Sequence, residues 1–165
     1  MVELIKLEIE GFGKFDKKKT VDFKKGINFI TGLNEAGKST ILEAILASLF
    51  KYNTSKIRPY FSWKNNDVCR VSLTYKIDKG ETFRITSDYK NAIKKLEKIS
   101  KGRTTEISAT ITKIHEYIKE HFGFDEQKVF ENTTFIRQSQ MAMLGESTTQ
   151  NAVIRNKIKD MIEEV

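Results

Sequence analysis

The sequence predicts an α/β fold: a mixed β-sheet with one helix after a glycine-bounded loop, and an antiparallel β-meander further along the chain. Three observations predict it. First, a short apolar run, Ile27 to Ile30, leads into G-L-N-E-A-G-K-S, and an apolar-periodic run follows it. Second, Asp67 to Ile77 and Thr82 to Tyr89 alternate apolar and polar residues on either side of D-K-G-E. Third, S-A-T-I-T-K-I-H-E-Y-I-K-E-H-F-G carries Ile111, Ile114, Ile118 and Phe122 at helical spacing.

The first observation carries the chemistry. Gly32 to Ser39 fits G-x-x-x-x-G-K-[ST]. Ile27 to Ile30 is rich in β-branched and aromatic residues and follows Gly26, which predicts a buried strand. Ile41, Ala44, Ile45, Ser48 and Leu49 form one stripe, which predicts a helix. A strand before the loop and a helix after it is the setting this motif requires. Gly32 and Gly37 allow turns where a Cβ would clash. The amides of Asn34, Glu35, Ala36, Gly37, Lys38 and Ser39 can then converge on a phosphate, with Thr40 continuing the helix. The helix start near Lys38 adds its positive dipole end. Lys38 supplies a mobile charge for the β- and γ-phosphates, and the Ser39 hydroxyl can ligate Mg²⁺. The expected ligands are ATP and Mg²⁺.

Length and composition bound the rest. The 165 residues suit one domain with a real core. At 39% hydrophobic and 31% charged, the composition is that of a soluble globular chain. No apolar run approaches the ~20 residues of a membrane span. The N-terminal M-V-E-L-I-K-L-E-I-E alternates like a strand and lacks a signal-peptide layout. One cysteine, Cys69, excludes an internal disulfide and makes the cytoplasm the expected setting. Cys69 falls in an alternating strand and reads as a core thiol. The net charge of +7 permits a polyanionic partner. Lys14 to Lys25 and Lys90 to Arg103 are the two basic stretches, and each reads equally well as a patch or as solvated surface.

In chain order, Val2 to Glu10 predicts a first strand, and G-F-G-K-F-D-K-K-K a turn-rich loop. Thr20 to Phe23 predicts a short strand. After the loop helix, K-Y-N-T-S-K-I-R-P-Y-F-S-W-K-N-N-D is polar, aromatic and irregular, with the one proline, Pro59. Gly80 predicts a hairpin turn in D-K-G-E. N-A-I-K-K-L-E-K-I-S suits either a helix or a third meander strand. Gly123 predicts a helix end. Asp125 predicts the cap of a short helix through Phe130. Thr133 to Ile136 predicts a buried strand running into R-Q-S-Q-M-A-M-L. Val153, Ile154, Ile158, Met161, Ile162 and Val165 predict the start of a helix that continues past the last residue. His115 and His121 are six apart, which does not place them on one helix face as a metal pair.

A phosphate loop holds a nucleotide, but hydrolysis also needs a carboxylate at the end of an apolar strand. V-S-L-T-Y-K-I-D is the nearest approach, and it alternates. No S-G-G signature occurs. Half of an ATP site is legible and the other half is missing from this chain. The combination of G-F-G-K-F, I-N-F-I-T-G-L-N-E-A-G-K-S-T-I-L-E-A-I and a distant F-I-R-Q-S-Q-M resembles the N-terminal head lobe of the SMC-like ATPases. Among them it is most similar to the DNA double-strand-break repair ATPases (bacterial SbcC and its archaeal and eukaryotic relatives) and, through N-E-A-G-K-S, to the YhaN-type proteins.

The resemblance implies an ABC-type P-loop NTPase lobe over residues 1–150, with 151–165 as the root of a coiled coil. It implies that Gln138 contacts Mg²⁺ and the attacking water, making it a catalytic residue with Lys38. It implies that Asn34 lies near the γ-phosphate, and that Lys14 flanks the nucleotide where relatives carry Arg-Ser. Glu35 stands where such heads usually have glycine. Asn65 and Asn66 lie where related heads reach towards the adenine. The implied partners are the protein's own C-terminal head lobe, a second head across sandwiched ATP, DNA, and a nuclease. The implied location is cytoplasmic, on the nucleoid in a prokaryote. Two other classes fit less of the sequence. A free-standing P-loop kinase needs an arginine-rich lid, and the arginines here are scattered. A pure DNA-binding module leaves the Lys38-Ser39 pair unexplained.

Overall fold

The computed structural model describes residues 2–50, 54–62, 64, 67–124, 127 and 129–130. The chain divides into two compact units, Met1–Gly123 and Phe124–Val165. The elements described below all belong to the first. Strand β1 (Val2–Glu10) is followed by β2 (Lys19–Asp22) and the loop helix α1 (Lys38–Leu49). A short helix α2 (Thr54–Ile57) and a 3-10 turn (Arg58–Tyr60) come next. The meander is β3 (Arg70–Ile77), β4 (Thr82–Asp88), β5 (Ile93–Ser100) and β6 (Arg103–Ser108), and helix α3 (Ile111–Phe122) closes the unit.

The six strands make one sheet in the order β2-β1-β3-β4-β5-β6, and every pairing between them is antiparallel. The α/β class holds. The strand alternation read from the sequence becomes two chemically different faces. On one face Leu7, Leu73, Ile85 and Leu96 pair in register across four strands, and all are fully buried. Helix α1 packs against β3 and β4, and α3 against β5 and β6. Burying four such side chains contributes on the order of 1.5–3 kcal/mol each. The other face is polar: Ser72 and Thr86 share a 2.6 Å hydrogen bond, Arg70 holds Asp88 at 2.8 Å, and Arg84 holds Glu97 at 2.9 Å. These cross-strand pairs fix the register, since a one-residue slip would bring the ions to the core face.

The two alternatives for N-A-I-K-K-L-E-K-I-S resolve to a strand, β5. Turns at both ends decide it: Ala92 at φ +53 on one side, Lys101 and Gly102 at positive φ on the other. Its partner β6 has no counterpart in the sequence reading, because R-T-T-E-I-S is mostly exposed and shows little apolar alternation. Gly80 at φ +79 makes the β3–β4 turn, and Gly123 at φ +74 ends α3, both as expected. Cys69 is a core thiol, pushed up to about 12 by burial.

One expectation is overturned. Ile27 to Ile30 is not a buried strand: the segment has no strand pairing, and Ile27 and Phe29 are 83% and 86% exposed. The sequence pattern reports what a segment can bury, and burial needs a neighbour. Among the described residues no strand lies beside it. The expected strand Thr133 to Ile136, Gln138, the methionine-bearing loop and the terminal helix lie outside the described residues, as do Asp125, Trp63, Asn65 and Asn66.

The basic stretch Lys90 to Arg103 is also divided by strand alternation. Lys94 points to the helix-covered face and is buried. Lys95 pairs with Glu97 at 3.0 Å, and Lys98 with Glu81. The stretch is therefore not one continuous cationic patch.

Candidate nucleotide-binding site

The loop is built from its glycines outwards. Gly37 stands at φ +97 as the residue before α1. A Cβ there would lie 2.8 Å from the Phe15 ring, so only glycine fits both the backbone and the contact. Ala36 donates its amide to the Leu33 carbonyl at 3.2 Å, which tightens the loop into a turn. Glu35 sits at φ +63, a left-handed conformation that glycine adopts most readily. Helix α1 then starts with no side-chain cap. The Gly37 carbonyl accepts the Ile41 amide at 3.1 Å, and glycine has no side chain to cap the first-turn amides, so the positive dipole end faces the loop.

Around this loop the predicted residues fall as follows. Lys38 curls back, and its Nζ donates to the Gly32 and Leu33 carbonyls, each at 2.8 Å. Asn34, Glu35, Ala36 and Ser39 are exposed along the loop, and Thr40 is half-buried. The Thr40 methyl would lie 2.6 Å from a Cβ on Gly13, so its side chain faces the first loop and not the phosphate cradle. Lys14 reaches Glu35 at 3.4 Å. The structure thus brings Lys14 together with the loop. Gln138 lies outside the described residues.

The G-F-G-K-F segment explains how Lys14 arrives there. Phe12 is fully buried and stacks on Tyr60, with ring centroids 5.3 Å apart. Gly13 donates its amide to the Tyr60 carbonyl, and Ser62 to the Gly11 carbonyl at 3.1 Å. Tyr60 in turn donates to Glu43 on α1 at 3.1 Å. The first loop, the 3-10 turn and α1 are tied into one frame.

That frame encloses a cleft of about 590 Å³ lined by Gly13, Lys14, Glu35, Pro59, Phe61 and Ser62, with Lys64 at its rim. Its volume lies in the range of small-ligand sites. Two cations, one aromatic face and adjoining loop amides suit a base, a sugar and a chain of phosphates. The resemblance pointed to Asn65 and Asn66, which lie outside the described residues, and sequence reasoning did not single out Pro59, Phe61 and Ser62 as cleft lining. The available signal was the P-Y-F-S cluster, the single proline beside two aromatics in a polar stretch.

Comparison with known proteins bears on the family and the fold. Residues 6–165 match the family described as an AAA domain. The chain belongs to this AAA-domain family. A DNA double-strand break repair Rad50 ATPase of Archaeoglobus fulgidus is 30% identical over 94% of this chain and 16% of its own length. Its counterpart in Nanoarchaeum equitans is 32% identical over 69% of this chain and 15% of its own. A chromosome partition protein Smc of Methanocaldococcus jannaschii is 33% identical over 63% and 9% respectively. The chain therefore spans a small part of the curated relatives it matches. A solved structure from work on ATP-driven dimerisation and DNA-stimulated activation of SMC ATPases superposes with a TM-score of 0.63. It covers 94% of this chain and 99% of that one at 18% identity, which establishes the fold. Motifs and fold together fit the N-terminal head lobe of the SMC-like, Rad50-type members of the AAA-domain family.

Proposed function

We propose that this chain is the ATP-binding half of an SMC-like head acting in DNA double-strand-break repair or DNA-end processing. The observation that carries this is the uncapped start of α1 behind Gly37, where Lys38 folds back on the loop carbonyls and Lys14 meets the same loop at Glu35. The family and its Rad50-named relatives support the same reading. In this reading the loop amides and Lys38 hold the β- and γ-phosphates, and Asn34 lies beside the γ-phosphate. Ser39 and Gln138 hold Mg²⁺, which when bound neutralises charge on the transferring phosphoryl group. Phe61 and Pro59 offer the apolar wall for the base.

A C-terminal lobe supplies the missing carboxylate and signature, so the isolated chain hydrolyses ATP slowly at most. Residues 1–150 form the lobe, and 151–165 begin the helix of a coiled coil. Two heads sandwich two ATP molecules, and γ-phosphate contact drives their engagement. DNA is the polyanion that the net positive charge attracts, a nuclease is the processing partner, and the setting is the cytoplasm or nucleoid.

Light scattering of the chain mixed with its C-terminal lobe tests the proposal. ATP with Mg²⁺ should produce a species of two heads that Lys38→Ala does not form. Equal association with and without nucleotide refutes it.

A further inference from the structure

We infer that Lys94 and Tyr89 are positioning residues for the phosphate loop, acting by holding the far end of the helix that carries it. The inference rests on the ATP-binding reading of that loop. Helix α1 has 12 residues, so its two ends lie about 18 Å apart. Its first turn bears Lys38, Ser39 and Thr40. Its last turn is buried: Ser48 and Leu49 are fully covered and Phe50 nearly so.

A buried helix end has carbonyls that water cannot reach, and each needs a partner. Phe50 donates its own amide to the Leu46 carbonyl at 2.8 Å. The next three carbonyls accept from side chains outside the helix. The Tyr89 hydroxyl donates to Ala47 at 2.6 Å. The Lys94 ammonium donates to Ser48 at 2.6 Å and to Leu49 at 3.3 Å. Helix α1 has no basic residue of its own in that turn; the basic side chain that reaches it is Lys94 of β5.

Both anchors are fixed by the sheet. Tyr89 donates its backbone amide to Cys69 at 2.8 Å, and Lys94 stands opposite Ser87 in the β4–β5 register. That register row continues through Val71 to Ile9 on the core face. A lysine there is costly, and a leucine would fill the space. What a leucine could not do is fix the height and rotation of α1 against the sheet. A rigid helix held at its C-terminus carries that placement to its N-terminus. There Thr40 abuts Gly13, and the neighbouring Lys14 lines the cleft.

The test uses the 165-residue chain with Lys94→Met, which keeps the stem and removes the ammonium, and Tyr89→Phe, which removes only a hydroxyl. Three quantities are read: affinity for a fluorescent ATP analogue with Mg²⁺, melting temperature, and amide hydrogen exchange at Ile41 to Glu43 without nucleotide. Lys94→Met should weaken analogue binding about tenfold and Tyr89→Phe about threefold. First-turn exchange should quicken in both by about tenfold. Melting should move by less than about 5 °C. If analogue affinity and first-turn exchange match the parent in both variants, the inference is overturned, whatever the melting temperature does. If Lys94→Met does not fold, Tyr89→Phe decides by the same two readouts. A parent chain that binds no analogue would refute the ATP reading, and the exchange measurement would still decide the anchoring.

Discussion

The Lys14 ammonium lies 3.4 Å from the Glu35 carboxylate, at the mouth of the cleft beside the phosphate loop. Glu35 is an acid in a loop whose amides are arranged for anions, and it stands at φ +63, where glycine costs least. Both side chains are largely exposed, so the pair itself contributes little to folding. In the proposed ATP-binding reading its effect falls on the ligand: the carboxylate would repel a triphosphate and it engages Lys14.

Glu35→Gln keeps the shape and removes the charge. ATP affinity should rise about three- to tenfold at low salt, and the gain should shrink as ionic strength rises. Glu35→Gly should in addition raise the melting temperature, because about 1 kcal/mol of left-handed strain is relieved. Calorimetric titration at two salt concentrations checks the first outcome and a thermal melt the second.

Lys38→Ala should lower ATP affinity by about a hundredfold or more, since charge-assisted contacts to phosphate are lost. Among the described residues the Lys38 ammonium bonds to loop carbonyls, so the melting temperature should barely change. Unchanged calorimetric affinity would remove the phosphate-loop assignment.

The chain alone should turn over ATP well below ~1 s⁻¹, the low end of ordinary enzyme rates. In a two-lobe head, Gln138→Ala should leave ATP binding within about tenfold while lowering hydrolysis and head engagement much further. Steady-state phosphate release, with and without the second lobe, reads both.

Burial pushes the Lys94 ammonium down to about 7. Between pH 7 and 9 the folded chain then holds fewer protons at this site than the unfolded chain, in which lysine stays charged. Stability should rise with pH across that window, by at most about 1.4 kcal/mol per unit. Above pH 9 the rise is opposed. The buried Cys69 thiol is pushed up to about 12, so the unfolded chain loses that proton first. Urea midpoints at pH 7, 8 and 9 should climb in the parent and stay level in Lys94→Met.

Gly11→Ala should be severe. A Cβ there would lie 1.7 Å from the Val68 carbonyl oxygen, and the backbone stands at φ +63. The clash involves main chain on both sides and cannot relax by a rotamer change. A loss of about 3 kcal/mol or more is expected in a denaturant titration.

Local signals made most of this fold readable. The loop motif, the β3–β4 hairpin and α3 each rest on residues within a short window: Gly37 before Lys38, Gly80 in its turn, Gly123 after Phe122. What was not readable depends on neighbours. Ile27 to Ile30 has the composition of a core strand, yet its burial is a property of whatever lies beside it. Strand β6 is hydrophilic because it is an edge, and edges carry weak patterns. Within the candidate site, the residues proposed to face phosphate sit in one contiguous motif. The wall formed by Pro59 and Phe61 is joined to it through the Phe12–Tyr60 stack and the hydrogen bonds around it, a three-dimensional arrangement. Lys94 looked like one cation among many in a basic run, and only strand parity turns it inward.

The antiparallel pairing of β1 with β3 also sets an order of events during synthesis. The β3–β6 meander is joined by short turns, and each hairpin can zip as soon as its second strand is made. Strand β1 cannot do this, because its neighbour β3 begins at Arg70 and the loop and α1 are translated in between. At about 5–20 residues per second, β1 waits several seconds beyond the ribosome exit with only the four residues of β2 to pair with. The exposed Ile27, Phe29 and Leu33 share that interval. Residues 2–69 therefore wait longest for their sheet partners during synthesis.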